Sequence, residues 1–340
     1  MVSARTLALA LPLWAAACID ADALGTFLPP TADEDPALPQ IELEVAGHRR
    51  ALHLETHGDP QDPAIFVLHG SLADFRALRP LAELADDGFF VVLWDQRGNG
   101  LSERVGADEI GEGPIVEEIA ALKRRFSPAA PITLVGHSFG AMYAALYASR
   151  APQDVEGLVL LEPAGLTGEI FTETFDEVFE LDLFDPSLAR TYWQTQVLGP
   201  LDHEQLDLKA LMLLHSGSLL HYFCDPDELP PLPVWRPGAY LDLVRNQKLQ
   251  PHRAGRFEYD YAAGLLEFSP PVLLLGSECS ALGYEFQRRH HAPLLREVSL
   301  VRIDDAGHRL MVEQTDAVLD AIREYLRRLH PELGSRSRAS

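Results

Sequence analysis

Basic side chains are scarce in this chain of 340 residues. Lys and Arg number 28 against 51 Asp and Glu, which gives a formal net charge of −23. A surface of that sign repels phosphate backbones, so the composition argues against nucleic acid as a partner. No internal repeat is evident. The length allows one large α/β domain, or a domain that carries an insertion.

Cysteine is also rare, with three residues in the whole chain. Cys18 belongs to the N-terminal leader described below, which leaves Cys224 and Cys279 for the remainder. In an oxidising compartment these two residues can form a disulfide. The sequence does not show that they lie close together, so a disulfide and two free thiols both remain open.

The one long apolar run of the N-terminal region covers residues 7–17, and it is too short to span a bilayer. Such a run is typical of a secretory signal, here residues 1–17. Three alanines directly before Cys18 resemble a bacterial lipoprotein cleavage box, after which the cysteine is lipidated, although Ala15 stands where that box usually carries leucine. We therefore expect an exported, membrane-anchored lipoprotein of the periplasm or outer membrane. A signal cut elsewhere, for instance after Ala23, and an uncleaved leader are the alternatives.

Strand patterns and helical patterns alternate along the rest of the chain. An alternating apolar and polar stretch at 41–58 predicts an antiparallel hairpin. Short apolar runs, typical of strands buried on both faces, follow within 63–70, 131–138, 155–165 and 270–278, and 89–100 and 296–308 each read as a strand followed by a loop. Six such strands with helices between them predict a doubly wound, mostly parallel open sheet of the α/β class.

The same patterns divide the chain into segments. We expect a disordered tether rich in Pro, Asp and Ala at 18–39, and a first core segment at 40–165. A mostly helical insertion at 166–267 follows the sixth strand, counting the two hairpin strands. The second core segment, at 268–332, ends in an amphipathic helix, and a disordered tail covers 333–340.

The stretch "LVGHSFGAMY" places Ser138 between Gly136 and Gly140, at the point where a strand becomes a helix. Gly-x-Ser-x-Gly is the pattern of a nucleophile elbow, in which a side chain at either glycine would clash in the tight turn. The serine hydroxyl then lies at a helix N-terminus, which favours developing negative charge. A turn serine with no catalytic role is the alternative for this motif taken alone.

Five features in a fixed order resemble the α/β-hydrolase family. They are "HGS" after one buried strand, "DQRGNGLS" after the next, "GHSFG", an insertion after "LVLLEPAG", and "AGH" near the end. The resemblance covers about residues 41–330. It implies an α/β-hydrolase fold with a helical cap inserted after the sixth strand, and "DQRG" is most similar to proline iminopeptidase relatives.

The resemblance also implies a triad in which Ser138 is the nucleophile and His308, after the last strand, is the base. The acid departs from the family pattern, because the usual position after "VLLLG" is Cys279. Glu278 is the favoured acid, since a longer side chain reaches from a shifted loop. Glu162, at the end of the preceding strand, is the alternative acid.

Two backbone N–H groups are expected to form the oxyanion hole, those of Ser71 and Phe139. Ser71 follows the pair His69-Gly70 in a loop that is plainer than the glycine-rich loop of proline iminopeptidases. Asp95 and Arg97, in "DQRGNGLS", are expected to hold their loop by charge-assisted hydrogen bonds, with no direct part in catalysis.

The expected cap is acidic at its start, with seven carboxylates between residues 169 and 185. This cluster is consistent with a site for a substrate ammonium group, as an aminopeptidase needs, and equally with a solvated helix face on an acidic protein. The phenylalanines interleaved with it are expected to pack the cap or to line an apolar pocket.

Together these features predict a serine hydrolase that cleaves a small-molecule carboxylic ester or amide through an acyl-enzyme intermediate. This chemistry needs no metal and no organic cofactor. Two alternatives remain. One is an aminopeptidase similar to proline iminopeptidases, and the other is a catalytically degenerate binding lipoprotein that retains the fold.

Overall fold

The computed structural model describes residues 28–178, 203–215, 223–224, 233–252 and 256–333. The expected signal peptide, Cys18 and the first part of the tether lie outside the described residues, as does the C-terminal tail from 334 onwards. Within the described ranges, no helix combines the length and the apolar character needed to cross a membrane.

Eight strands form one sheet. They are β1 (Gln40–Val45), β2 (His48–His57), β3 (Ala64–Leu68), β4 (Phe90–Trp94), β5 (Ile132–His137), β6 (Val155–Leu161), β7 (Val272–Ser277) and β8 (Val298–Ile303). Their order across the sheet is β1-β2-β4-β3-β5-β6-β7-β8. The β1–β2 and β2–β4 pairs are antiparallel and every other pair is parallel, which confirms the predicted hairpin and doubly wound sheet.

Helices cover both faces of the sheet. The longer ones are α1 (Glu112–Phe126), α2 (Phe139–Arg150), α3 (Gly168–Val178), α4 (His203–His215), α5 (Ala239–Lys248) and α6 (Thr315–Leu329). One apolar core lies between the sheet and helices α1 and α2. The second lies between the other face of the sheet, α6 and a 3₁₀ helix at Phe75–Asp87. Because both faces are covered, every residue of β3 and β4 is buried, as their continuous apolar sequences predict.

The segment between β6 and β7 holds the described helices α3, α4 and α5. At its start, the N–H of Leu166 donates a hydrogen bond to Nε2 of His291, in the helical segment between β7 and β8. A disulfide joins it again to the loop after β7, because Cys224 and Cys279 are bonded, with their Cα atoms 5.1 Å apart. Of the two possibilities open for these cysteines, the structure has the disulfide.

The end of the expected tether packs on the domain. Leu28 and Ala32 are buried, and the N–H of Ala32 donates to the carbonyl of Leu101 at 2.7 Å. Pro29 accepts a hydrogen bond through its carbonyl from Nη1 of Arg236, in the segment between β6 and β7. The expectation of a disordered tether up to residue 39 is therefore wrong for residues 28–39, which the structure describes as a turn-rich segment that contacts the domain through Leu28, Pro29 and Ala32.

Candidate active site

Ser138 lies in the sharp turn between β5 and α2, with φ +53° and ψ −119°. Such a backbone is strained for a residue with a side chain, and the neighbouring glycines show why it persists. A Cβ at Gly136 would come within 2.4 Å of the carbonyl oxygen of Gly140, and a Cβ at Gly140 within 2.3 Å of the Leu68 oxygen. No side chain fits at either glycine, because the start of α2 blocks Gly136 and the end of β3 blocks Gly140.

His308 contacts the elbow serine from the loop that follows β8. Its Nε2 lies 3.0 Å from Oγ of Ser138, and the imidazole is largely buried. His137 supports this loop, because its Nε2–H donates to the carbonyl of His308 at 2.8 Å. Burial lowers the pKa of His137 well below its ordinary value, so the ring is a neutral donor.

The carboxylate beside His308 belongs to Glu162. Oε2 of Glu162 lies 2.7 Å from Nδ1 of His308, and Oε1 accepts a hydrogen bond from the N–H of Ser277. Glu162 is fully buried and has φ +45°, a left-handed conformation at the residue that directly follows β6. With Nδ1 donating to the carboxylate, Nε2 is the acceptor that faces the serine hydroxyl.

The favoured assignment of Glu278 as the acid has to be corrected. Oε2 of Glu278 accepts from the N–H of Asp305 at 3.1 Å, and Oε1 lies 3.8 Å from Nη1 of Arg302. The residue is exposed. Its backbone N–H donates to the carbonyl of Ile303 and so extends the hydrogen bonding between β7 and β8. Its side chain is therefore engaged on the outer side of this loop, and the alternative residue Glu162 takes the place beside the imidazole.

The expected oxyanion residues lie on the two sides of the serine. Ser71 belongs to the loop after β3, which runs so close to the elbow that a Cβ at Gly70 would meet Cβ of Ser138 at 3.0 Å. Phe139 is the first residue of α2. Ser71, Ser138 and Phe139 all line the same cavity, and neither candidate N–H donates to an acceptor among the described residues.

His69 holds the backbone of this loop. Its Nδ1–H donates to the carbonyl of Gly70, and its Nε2 accepts from the N–H of Gln96 at 3.2 Å. The side-chain amide of Gln96 returns a hydrogen bond to the carbonyl of His69. Burial lowers the pKa of His69, and the neutral ring is the form that donates at one nitrogen and accepts at the other.

The "DQRG" carboxylate of Asp95 is placed as expected, inside its loop. One of its oxygens accepts from the N–H of Phe75, and the other accepts from the N–H of Leu101 and from Nδ1 of His53. Arg97 donates through Nε to the buried carboxylate of Glu118 at 2.9 Å. Neither Asp95 nor Arg97 lines the cavity, so their contacts are structural.

The site opens into a cavity of about 220 Å³. Apolar side chains form most of its described lining, including Leu78 from the core and Phe171 of α3. Glu169 and Glu173, the two members of the acidic cluster whose side chains the structure describes, are exposed. The rest of that cluster, from Asp176 to Asp185, lies outside the residues whose side chains are described.

Two charged residues that line this cavity belong to no recognisable sequence motif and were not predicted as site residues. Asp242 and Arg245 lie one turn apart on α5, and Nη1 of Arg245 is 2.6 Å from Oδ1 of Asp242. An Asp and an Arg three residues apart are common on solvated helix faces, so the sequence offered no signal for burial at a site. No group of three or more His, Cys, Asp or Glu side chains suited to a metal ion occurs among the described residues.

Comparison with known proteins agrees with this architecture. The model of the alpha/beta hydrolase fold family matches residues 63–314. The chain belongs to this family. Its predicted fold is confirmed, and the chain is an α/β hydrolase.

Curated relatives of this α/β hydrolase include enzymes with different substrates. The chain is 23% identical to a proline iminopeptidase of Pestalotiopsis fici over 279 residues, which covers 78% of this chain and 93% of the relative. It is 32% identical to the 2-(acetamidomethylene)succinate hydrolase of Mesorhizobium japonicum over 268 residues, 78% of this chain and 88% of the relative.

A solved structure extends the likeness in fold. An esterase from Thermogutta terrifontis superposes with a TM-score of 0.58 at 21% identity, covering 86% of this chain and 99% of that protein. At this identity the likeness concerns the fold alone.

Proposed function

We propose that this α/β hydrolase is a serine hydrolase that cleaves a carboxylic ester or amide through an acyl-enzyme intermediate. One observation carries the proposal. Ser138, His308 and Glu162 form a continuous chain of hydrogen bonds of 3.0 and 2.7 Å at the end of a cavity. This arrangement provides a nucleophile, a base and a buried carboxylate that orients the base.

In the proposed reaction, Oγ of Ser138 attacks the substrate carbonyl carbon while Nε2 of His308 takes the hydroxyl proton. The tetrahedral intermediate collapses as His308 gives that proton to the leaving alcohol or amine. Water then attacks the acyl-enzyme, and His308 receives a proton from the water. Serine is restored when the proton returns to Oγ and the acid product departs.

Two features of the site are suited to the charges that develop during this reaction. The carboxylate of Glu162 faces Nδ1 of His308 and stabilises the imidazolium formed in both steps. The N–H groups of Ser71 and Phe139 supply donors for the carbonyl oxygen as it becomes negative. Their lack of protein acceptors among the described residues leaves them available for that oxygen.

The described lining favours an ester or amide with an apolar acyl group over a peptide with a free ammonium group. Asp242 is the one carboxylate among the described lining residues, and it is already paired with Arg245 and with the N–H of Leu72. An ammonium group binds best to a carboxylate that has no other cation. An aminopeptidase similar to proline iminopeptidases is therefore the second candidate, and the similarity to the Pestalotiopsis fici enzyme supports it.

The decisive experiment uses a fluorophosphonate probe on the folded full chain. We expect the wild type to be labelled and the Ser138→Ala variant to remain unlabelled. p-Nitrophenyl esters of increasing acyl length, compared with proline and alanine arylamides, then separate esterase from aminopeptidase activity. A folded wild type that neither reacts with the probe nor hydrolyses any of these compounds would favour the degenerate binding protein.

We also propose that the chain is exported and anchored by a lipid on Cys18, which lies outside the described residues. The disulfide between Cys224 and Cys279 supports an oxidising compartment, where such bonds persist. Metabolic labelling with a palmitate analogue in a bacterial host tests the anchor. We expect membrane-associated label in the wild type and its loss in Cys18→Ser, whereas equal labelling of both would refute the anchor.

A further inference from the structure

One guanidinium group contacts both residues assigned to the oxyanion hole. Nη2 of Arg245 donates to Oγ of Ser71 at 2.9 Å. The central carbon of the same guanidinium lies 3.4 Å from the centroid of the Phe139 ring, in a cation–π arrangement. Ser71 belongs to the loop after β3 and Phe139 begins α2, so a side chain from α5 contacts both of the elements that carry the oxyanion donors.

The partner of this arginine fixes the next residue of the loop. Oδ2 of Asp242 accepts a hydrogen bond of 2.7 Å from the N–H of Leu72, while its Oδ1 pairs with Arg245. Leu72 has φ +48°, a conformation that is unfavourable for leucine and requires support from its surroundings. Asp242 supplies that support at the residue adjacent to Ser71.

Arg245 and Asp242 make these contacts in a buried environment, where a replacement side chain has little room to adjust. Arg245 is 4% exposed and Asp242 7% exposed. A guanidinium remains charged even when buried, and its planar face and separate nitrogens allow it to stack and to donate at once. Lysine has neither the plane nor the second nitrogen, so it cannot reproduce all three contacts.

We propose that Arg245 and Asp242 are positioning residues that set the oxyanion hole. By holding Ser71, Leu72 and Phe139 together, the pair fixes the spacing of the two N–H donors, and the hole is complete only when α5 is seated on the core. Oxyanion donors act at hydrogen-bond distance, so a small displacement of one donor is enough to weaken them. This inference rests on the proposed serine hydrolase function.

The test compares two conservative variants of buried arginines in the segment between β6 and β7. Arg245→Lys alters the bridge. Arg236→Lys alters an arginine that is 1% exposed and pairs with Asp207, but does not line the cavity. Ser71→Ala is a milder variant that removes only the hydroxyl acceptor and keeps the backbone N–H.

We expect kcat for a p-nitrophenyl ester to fall by about 10-fold or more in Arg245→Lys and several-fold in Ser71→Ala, with KM changing by less than about threefold. We expect these losses in kcat to be smaller than the roughly 100- to 1,000-fold loss that accompanies removal of a whole oxyanion donor, because both N–H groups are still present. Arg236→Lys is expected to keep the wild-type kcat within about threefold.

A second readout separates positioning from general loosening of the fold. Sulfur accepts hydrogen bonds weakly, so the rate ratio between an oxo ester and its thiono analogue reports on the oxyanion hole. We expect this ratio to fall in Arg245→Lys and Ser71→Ala and to stay unchanged in Arg236→Lys.

The outcomes distinguish the two proposals. A wild type that fails to hydrolyse esters and to bind the fluorophosphonate probe refutes the serine hydrolase itself. An active wild type whose Arg245→Lys and Ser71→Ala variants keep its kcat and its oxo-to-thiono ratio refutes the positioning role alone. If Arg245→Lys does not fold, as judged by circular dichroism, the ratio in Ser71→Ala decides.

Discussion

Nδ1 of His308 lies 2.7 Å from the carboxylate of Glu162, although 146 residues of chain separate them. The two residues meet because β6 and β8 flank β7 and all three strands end at the same edge of the sheet. The second oxygen of Glu162 is held by the N–H of Ser277 at the end of β7. The carboxylate is thus fixed from one side by the sheet while it orients the imidazole on the other.

This relationship predicts which glutamate matters for catalysis. Glutamine at position 162 keeps the size of the side chain, but its amide favours the wrong tautomer of His308 and does not stabilise the imidazolium. We expect Glu162→Gln to lower kcat for p-nitrophenyl esters by about 10³- to 10⁴-fold, in line with the loss of a triad carboxylate.

The control for this prediction is Glu278→Gln, which changes an exposed carboxylate near Arg302. We expect its kcat to remain within about twofold of the wild type, because exposed ion pairs contribute little. The opposite order, with Glu278→Gln inactive and Glu162→Gln active, would restore the assignment favoured by sequence.

Much of the site could be predicted from local sequence patterns. The elbow at Ser138 needs only a strand, two glycines and a helix, and the role of His308 is implied by the resemblance to α/β hydrolases, which place the base after the last strand. Glu162 and Glu278 directly follow the neighbouring strands β6 and β7, so the strand pattern does not distinguish between them as the acid. Glu162 has a positive φ and its carboxylate reaches the imidazole, and no periodicity in the sequence reports such a dihedral angle or contact.

Long-range packing accounts for the other features that the sequence did not reveal. Arg245 meets Ser71 across 174 residues only because α5 packs over the cavity, and helical spacing does not show what a helix packs against. The pairing of Cys224 with Cys279 depends on the same packing of the segment between β6 and β7. The order of the last part of the expected tether could not be predicted because its few buried apolar residues, such as Leu28, form no periodic pattern.

The disulfide provides a test of how strongly this segment is attached to the core. It closes a loop with a sequence separation of 55 residues, for which loop entropy gives an upper limit of about 4 kcal/mol. We expect reduction, or the double variant Cys224→Ser with Cys279→Ser, to lower the free energy of unfolding by about 2–4 kcal/mol in urea titrations.

The disulfide also lies beside the histidine loop. Glu313 accepts from the N–H of Cys224 through one oxygen and from the N–H of Gly307 through the other. Loss of the disulfide is therefore expected to lower kcat as well as stability. The double variant serves as the control, since reductant should have no further effect on it. Unchanged wild-type stability after complete reduction, verified by thiol titration, would contradict this prediction.

His291 predicts a pH dependence of stability. The ring is buried, accepts from the N–H of Leu166 and lies 2.6 Å from Oε1 of Gln287 through Nδ1. Burial, with a smaller contribution from the neighbouring His290, lowers the pKa of His291 to about 3. Between about pH 6.5 and pH 3 the unfolded chain therefore binds a proton at this residue that the folded chain does not, so stability falls with decreasing pH.

This one histidine can change the free energy of unfolding by at most about 1.4 kcal/mol per pH unit. We expect urea titrations between pH 6.5 and pH 4 to show a shallower decline for His291→Gln than for the wild type, even if the variant is less stable throughout. Parallel curves for the two proteins would mean that His291 takes up its proton in the folded state.

Asp95 predicts a loss of stability without a loss of chemistry. Its two oxygens accept from two buried N–H groups and from His53, and asparagine retains only one acceptor oxygen. We expect Asp95→Asn to lower the free energy of unfolding by about 2–4 kcal/mol, since a buried donor then lacks its acceptor. Asp304→Asn, at an exposed ion pair with Arg302, is the matched control and should change stability by less than about 0.5 kcal/mol. Because Asp95 does not line the cavity, the folded Asp95→Asn variant should hydrolyse esters with a kcat within a few-fold of the wild type. A large fall in kcat at unchanged stability would instead show that the "DQRG" motif takes part in catalysis.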